Sequence, residues 1–296
     1  MKWQREHQSD DVIDRRGSSG GGGSLGSIGM GKIGAGGLGG IIAIIAAILG
    51  FNAVGGGSSG DGGLGDIFGQ MQAAPAGQGS ELDQAPPPQD DQAAFMGYVL
   101  DDVQDMWTDL FAASGDEYQR AKLVLFTGST PSGCGGATSA IGPHYCPADQ
   151  HVYLDLDFFT QLDQEFGAPG DFAQAYVMAH EIGHHVQNLL GINSEVRQLQ
   201  SENPGDRNEL SVKMELQADC LAGVWAHTVY ADNALEPGDI EEGLQAAEAV
   251  GDDRLQRQAG ARVNPETWTH GSSQQRMDWF DEGYQSGDPA KCDTFA

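Results

Sequence analysis

Apolar residues spaced three and four positions apart predict a series of amphipathic helices. The predicted helices span about 92–112, 157–165, 171–190, 206–230 and 238–249, and a last one begins at a Ser272 or Ser273 cap. Two short apolar runs, 122–126 and 151–156, are typical of strands. This pattern predicts a mainly helical α+β domain with a small β-sheet, extending over residues 93–296.

The predicted helix over 171–190 has recognisable ends. Asp171 is a plausible N-cap, and Gly191 stands where a C-cap glycine belongs. Gly183 lies inside this helix and costs about 1 kcal/mol relative to alanine. Two readings of Gly183 stay open: a second helix packs against this face, or a substrate passes close to it.

An uncharged apolar run covers residues 33–54, ahead of the domain. As a helix its 22 residues would measure about 33 Å, enough for a bilayer core, so the run predicts a transmembrane helix. A cleaved signal peptide and a buried helix of a soluble domain are the alternatives. Basic residues near the run lie only on its N-terminal side, so residues 1–32 are expected to be a cytoplasmic tail.

Composition divides the remaining chain. Residues 55–92 are rich in Gly, Gln, Ala and Pro, which predicts a disordered linker. The chain has a net charge of -28, with the acidic excess almost entirely after the apolar run. Such a field repels nucleic acid, so no nucleic-acid partner is expected.

The chemistry centres on His180-Glu181-Ile182-Gly183-His184, an H-E-x-x-H run. Residues four apart share a helix face, so His180 and His184 can reach one ion. Glu181 stands beside that ion without ligating it, where a general base for a zinc-activated water is needed. The run therefore predicts a catalytic Zn²⁺ site.

A catalytic zinc takes three protein ligands and leaves a fourth position open. Glu215, in the predicted helix over 206–230, is the best candidate for the third ligand. Asp219 lies one turn further on and can accept a hydrogen bond from the free ring nitrogen of a ligand histidine.

The other histidines are expected to have lesser roles. His185 lies about 100° round the helix from His184 and should lie behind the ligands or at the surface. His270 is expected to be structural, with stabilisation of the oxyanion by His270 or a tyrosine as the alternative, and the sequence does not choose between the two for that role. The strand over 151–156 is a candidate edge for an extended peptide substrate. The remaining histidines of the domain are expected to be structural: His144, His151 and His227.

Four cysteines, Cys134, Cys146, Cys220 and Cys292, allow three pairings. If the domain lies outside the cytoplasm, two disulfides are expected. We favour Cys134–Cys146, which closes a short Gly-rich loop, and Cys220–Cys292, which fastens the C-terminus to the helix carrying Glu215.

These residues together carry a family resemblance. The H-E-x-x-H run with the stretch 215–220 is similar to the glutamate-ligand zincins (gluzincins). Along about 95–296 the chain more closely resembles the bacterial neutral zinc metallopeptidase family (YpfJ-like), through Gly142-Pro143, His270-Gly271 and Gln275-Arg276 among other matching pieces. The resemblance implies a zincin-like fold and an N-terminal membrane anchor, but no particular substrate.

The sequence therefore predicts a zinc-dependent endopeptidase held by one helix in the bacterial cell (inner) membrane. Its catalytic domain would be extracytoplasmic and its partners peptide or protein substrates. The alternative is a catalytically silent zincin-fold scaffold with a structural metal.

Overall fold

The computed structural model describes residues 1–17 and 90–296. The strands are β1 (Val12–Asp14), β2 (Lys122–Phe126), β3 (Ser129–Ser132), β4 (Gly135–Thr138), β5 (His144–Cys146) and β6 (His151–Asp155). The helices are α1 (Asp91–Ser114), α2 (Asp157–Gln164), α3 (Asp171–Leu189), α4 (Ile192–Glu202), α5 (Arg207–Ala231), α6 (Asp239–Ala249), α7 (Asp252–Gln258) and α8 (Ser273–Ser286). The predicted mainly helical α+β architecture is confirmed.

The predicted transmembrane helix over 33–54 lies outside the described residues, as does almost all of the predicted linker. Among the helices of residues 1–17 and 90–296, none has both the length and the apolar character that a bilayer crossing requires.

The main sheet has the strand order β1-β2-β6-β5. β1, β2 and β6 run parallel, with Leu123 opposite both Val12 and Val152, and β5 is antiparallel to β6. β6 is thus hydrogen-bonded on both sides. The prediction that the strand over 151–156 offers a free edge to substrate is wrong, because β5 occupies that edge.

The first residues of the chain belong to the domain. Val12 and Ile13 are each only 7 % exposed, and β1 extends the sheet beside β2. The Arg16 guanidinium bonds to Asp14 and reaches Asp90 at 2.7 Å, so the end of the first described range lies beside the start of the second. Residues 1–17, predicted to be part of a separate tail, are integral to the fold.

This arrangement bears on the predicted orientation. A single membrane crossing between residues 17 and 90 would separate β1 from β2, which are paired along the sheet. The pairing is therefore not compatible with one crossing between a cytoplasmic tail and an external domain, and the side on which the domain lies stays a prediction.

The helices pack over one face of the sheet, and close approaches there depend on glycine. An added Cβ at Gly183 would lie 3.1 Å from the backbone of Ala218, so this glycine lets α3 and α5 approach. Gly283 of α8 similarly faces the Cys220 carbonyl of α5. The helix-packing reading of Gly183 is thus the correct one.

Both predicted disulfides are confirmed. Cys134–Cys146 joins the β3–β4 hairpin to β5, and Cys146 lies in a small apolar cluster separate from the main helical core. Cys220–Cys292 fastens the C-terminal segment to α5 across a separation of 72 residues.

Local details differ at the helix ends. Gly170, not Asp171, is the N-cap of α3, and Asp171 is its first helical residue. Ser272 caps α8 in a capping box with Gln275, as one of the two predicted caps. The prediction missed β1, β3, β4, β5, α4 and α7.

Candidate metal centre

Two neighbouring helices bring the predicted ligands together. His180 and His184 lie one turn apart on α3, and their ring centroids are 4.8 Å apart. Glu215 faces them from α5, with one carboxylate oxygen 3.2 Å from His180 Nε2 and the other 3.4 Å from His184 Nε2. Each side chain thus offers a ligand atom to one small space.

This geometry fits a zinc ion. Zinc bonds to nitrogen and oxygen measure about 2.0–2.2 Å, so tetrahedral ligand atoms lie roughly 3.3–3.5 Å apart. His180 Nε2 lies 3.2 Å from one Glu215 oxygen and His184 Nε2 lies 3.4 Å from the other, and one ligand atom from each of the three residues lies within 4.8 Å of the others, a spacing that one zinc ion can bridge. Two imidazoles and one carboxylate also form a donor set typical of catalytic zinc, which keeps a fourth position open.

Asp219 fixes the ring of His180. Its Oδ1 lies 2.8 Å from His180 Nδ1, so the ring donates from Nδ1 and leaves Nε2 free for the ion. Asp219 is fully buried, and Arg276 grips it through Nε at 2.8 Å and Nη2 at 2.9 Å. Tyr176 also donates its hydroxyl to the same carboxylate. The buried charge is therefore paired and fully hydrogen-bonded.

His184 has a neutral partner instead. Its Nδ1 lies 2.8 Å from Gln187 Oε1, three residues further along α3. Gln187 is completely buried, so water does not compete for this bond.

The carboxylates dominate the electrostatics of the centre. Burial by itself lowers the pKa of His180, but Asp219 and Glu215 outweigh it and raise the pKa to about 10. Burial is likewise outweighed at His184, chiefly by Glu215, and the pKa is raised. Burial by itself raises the pKa of Glu215, yet the two imidazoles lower it well below its usual range. The imidazole rings of His180 and His184 therefore hold protons that a metal ion must displace on binding.

Glu181 lies between these ligands along α3 and is 7 % exposed. Its carboxylate is close enough to contribute to the raised pKa of His184, after burial and the larger effect of Glu215. The predicted general base therefore lies beside the ligand cluster and is not one of its three members.

His270 approaches the centre from the loop before α8. Asp252, 2 % exposed, accepts the backbone N–H groups of Thr269, His270 and Gly271 and lies 3.3 Å from His270 Nδ1. Burial lowers the pKa of His270, but Asp252 and Glu215 together raise it. The imidazole is thus held by one carboxylate within electrostatic reach of the third ligand.

His185 is not at the surface. It is fully buried, with Nε2 on the Gln119 carbonyl and Nδ1 2.9 Å from the Tyr145 hydroxyl. Tyr145 lies in β5 and also accepts from Asn188. His185 therefore ties the edge strand to the helix that carries the ligands.

Three residues of the centre received no role from the sequence: Tyr176, Gln187 and Arg276. Tyr176 lies four positions before His180 and Gln187 three after His184, so helical spacing could have found both. Arg276 is 3 % exposed and comes from α8, far away in sequence, where no local pattern distinguishes it from a surface arginine.

A second group of carboxylates, Asp171, Asp239 and Glu242, occurs in the described part of the chain. The N-terminal ammonium of Met1 lies among them, 2.7 Å from Asp171 and 3.3 Å from Asp239. This cation balances the carboxylates, and we assign no metal there.

Comparison with known proteins agrees with the geometry. Residues 1–295 match the sequence model of the family described as "Putative neutral zinc metallopeptidase". The "Uncharacterized protein YpfJ" of Escherichia coli (strain K12) is 47% identical over 296 residues, covering 100% of this chain and 99% of that protein. The "Uncharacterized protein Rv2575" of Mycobacterium tuberculosis (strain ATCC 25618 / H37Rv) is 51% identical over 190 residues, 60% of this chain and 64% of that one. No solved structure matches the chain.

The chain therefore belongs to the neutral zinc metallopeptidase family, and the predicted family is confirmed. Membership supports a zinc-dependent peptidase at the level of the family.

Proposed function

We propose that the protein is a zinc-dependent endopeptidase whose ligands are His180, His184 and Glu215. The observation that carries this proposal is the convergence of the two Nε2 atoms on Glu215 at 3.2 and 3.4 Å. When bound, the ion supplies Lewis-acid polarisation of the scissile carbonyl and lowers the pKa of a water.

Side chains of the protein carry out proton transfer, orientation of a ligand and stabilisation of the developing negative charge. Glu181 takes a proton from the attacking water and delivers it to the leaving amine. Asp219 keeps His180 in its ligating tautomer. Tyr176 and Tyr145 are already bonded to Asp219 and His185, so we assign His270 to the negative charge that develops on the carbonyl oxygen.

We propose that the substrate binds along β5, which is at one end of the strand order of the main sheet. Among the described residues this strand pairs only with β6, and Tyr145 joins it to α3 through His185 and Asn188. An extended peptide added at this edge would run beside α3, the helix that carries His180 and His184, and main-chain hydrogen bonds would hold it there.

The decisive experiment uses the full-length protein and its Glu181→Gln variant. We expect about one zinc per wild-type chain and cleavage of an unstructured peptide library. Glu181→Gln should keep the zinc and lose at least about a hundredfold in cleavage rate, because the proton acceptor is gone. The exposed Glu195→Gln on α4 serves as the matched control and should change neither.

Metal content and a peptide-library profile together separate the alternatives. Wild-type protein that binds zinc yet cleaves no peptide would favour the silent scaffold with a structural metal. Wild-type protein without zinc affinity would overturn both readings.

For location, we propose an extracytoplasmic domain, with the apolar run at 33–54 attaching the protein to the membrane from that side without a single crossing. Two disulfides support an oxidising compartment, since cytosolic proteins seldom keep them. The pairing of β1 with β2 supports placing residues 1–17 in that same compartment.

A further inference from the structure

A buried chain of hydrogen bonds leads from His184 to the C-terminal disulfide. His184 Nδ1 bonds to Gln187, Gln187 Nε2 lies 3.0 Å from Gln217 Oε1, and Gln217 Nε2 lies 2.9 Å from the Cys292 carbonyl. Cys292 is the residue joined to Cys220 of α5. We call Gln187 and Gln217 the amide relay.

The direction of the amide relay is fixed by its ends. A main-chain carbonyl only accepts, so the Cys292 carbonyl requires the Nε2 group of Gln217. Gln187 Nε2 similarly donates at 2.7 Å to the Met214 carbonyl. Gln187 Oε1 must then face His184, whose Nδ1 carries the proton and whose Nε2 is left bare for an ion.

Burial makes this order strict. Gln187 is 0 % and Gln217 8 % exposed, and Cys292 is 1 % exposed. If the Cys292 carbonyl moved away, Gln217 would lose its acceptor, and a buried donor without a partner is costly. The Gln217 amide could then turn, and Gln187 Nε2 would lose one of its two acceptors and keep only the Met214 carbonyl. The relay also contacts the carbonyl of Met214, the residue next to Glu215.

The two histidine ligands therefore have different supports. His180 is held by a buried carboxylate that an arginine clamps, within the helical body. His184 depends on neutral amides whose far end is the C-terminal segment. Cys292 and Thr294, which bonds to the Lys213 carbonyl, both fasten this segment to α5.

We propose that the Cys220–Cys292 disulfide sets the metal affinity of the centre, because it holds the carbonyl on which the orientation of His184 depends. Gln187 and Gln217 are positioning residues in this scheme. The inference rests on the proposed metal site. It adds that loss of a cross-link outside the ligand set weakens that site.

The test measures zinc affinity of the full-length protein by competition with a chromophoric chelator. Cys220→Ala/Cys292→Ala should bind zinc about ten- to hundredfold more weakly, the usual effect of losing an outer support of a ligand. Cys134→Ala/Cys146→Ala is the matched control. It removes a cross-link next to the separate apolar cluster and should change affinity less than about twofold.

Gln217→Leu tests the path itself. It should weaken zinc binding when the disulfide is present and add little in the Cys220→Ala/Cys292→Ala background, because both changes break the same path. The absorption spectrum of the cobalt-loaded protein should shift in the same variants, since a turned His184 changes the ligand field. Far-UV circular dichroism checks folding.

Three results would overturn the inference while leaving the zinc site standing. They are equal losses in both disulfide variants, unchanged affinity without Cys220–Cys292, and a full additional loss from Gln217→Leu in that background. Should Cys220→Ala/Cys292→Ala fail to fold, unchanged affinity in Gln217→Leu alone would decide against it. A wild-type protein with no zinc affinity would remove the proposed function and this inference together.

Discussion

Among the single residues, Asp219 connects the ligand cluster with the buried interior. It accepts from His180, Tyr176 and Arg276, and it is fully buried. Burial raises the pKa of this carboxyl, but Arg276 and His180 outweigh it and keep the pKa low. Asp219 therefore stays ionised, and its charge is tolerable only while Arg276 remains in place.

Arg276→Met should accordingly destabilise the fold by about 3–5 kcal/mol, because it leaves Asp219 as an uncompensated buried charge. The free energy of unfolding in urea measures this effect. Arg257→Met is the control: the Arg257 side chain is 59% exposed and pairs with the partly buried Asp253, so a change within about 1 kcal/mol is expected. Similar losses in the two variants would argue against the role given to Arg276.

The raised histidine pKa values predict proton release on zinc binding. Below those pKa values His180 and His184 hold protons that compete with the ion, so affinity should fall as the pH falls. Each displaced proton contributes about tenfold in affinity per pH unit. Calorimetric titrations near neutral pH, in buffers of different ionisation enthalpy, should show about one to two protons released. Heats independent of the buffer would contradict the assigned protonation.

Between elements, the tightest constraint is the crossing of α5 and α8. A Cβ at Gly283 would collide with the Cys220 carbonyl, and one at Gly223 would collide with the Phe280 carbonyl. These glycines let α8 bring Arg276 to Asp219, so the crossing positions the centre as well as the core.

Gly283→Ala should therefore cost about 3 kcal/mol, at the upper end of overpacking effects, since backbone cannot yield as a side chain can. Zinc affinity should fall with it, because α8 moves away from α5. Gly205→Ala is matched in chemistry but has open space around its Cβ, and it should be neutral or stabilising by up to about 1 kcal/mol. Thermal unfolding of both variants and their zinc affinity provide the comparison, and equal melting temperatures would refute the packing argument.

Local periodicity was sufficient for the long elements. α3 presents apolar residues at helical spacing, so its position and the shared face of His180 and His184 could be predicted. β1 has only three residues and lies in a polar neighbourhood, and its pairing with β2 is a long-range contact that leaves no local signal. Arg276 was missed for the same reason, since its contact with Asp219 spans 57 residues, whereas β5 was missed because it has only three residues.

For the whole molecule, the position of residues 1–17 makes a prediction about sidedness. Every cysteine of the described residues is in a disulfide. A thiol introduced by mutation can therefore be labelled without competing signal from these cysteines. Cysteines at the exposed positions Gln4 and Gln285 should both react with a membrane-impermeant maleimide on intact cells. Labelling at Gln285 but not Gln4 would contradict the shared compartment, and labelling of neither without permeabilisation would contradict an external domain.

The place of β1 in the sheet also has a consequence for synthesis. Val12 pairs opposite Leu123, so the strand leaves the ribosome long before its partner exists. At roughly 5–20 residues per second, the delay is on the order of 5–20 s. During that interval the apolar residues of β1 have no partner strand to bury them. β1 can therefore join the sheet only after β2 has emerged. This makes the pairing of β1 with β2 a late step in the maturation of the domain.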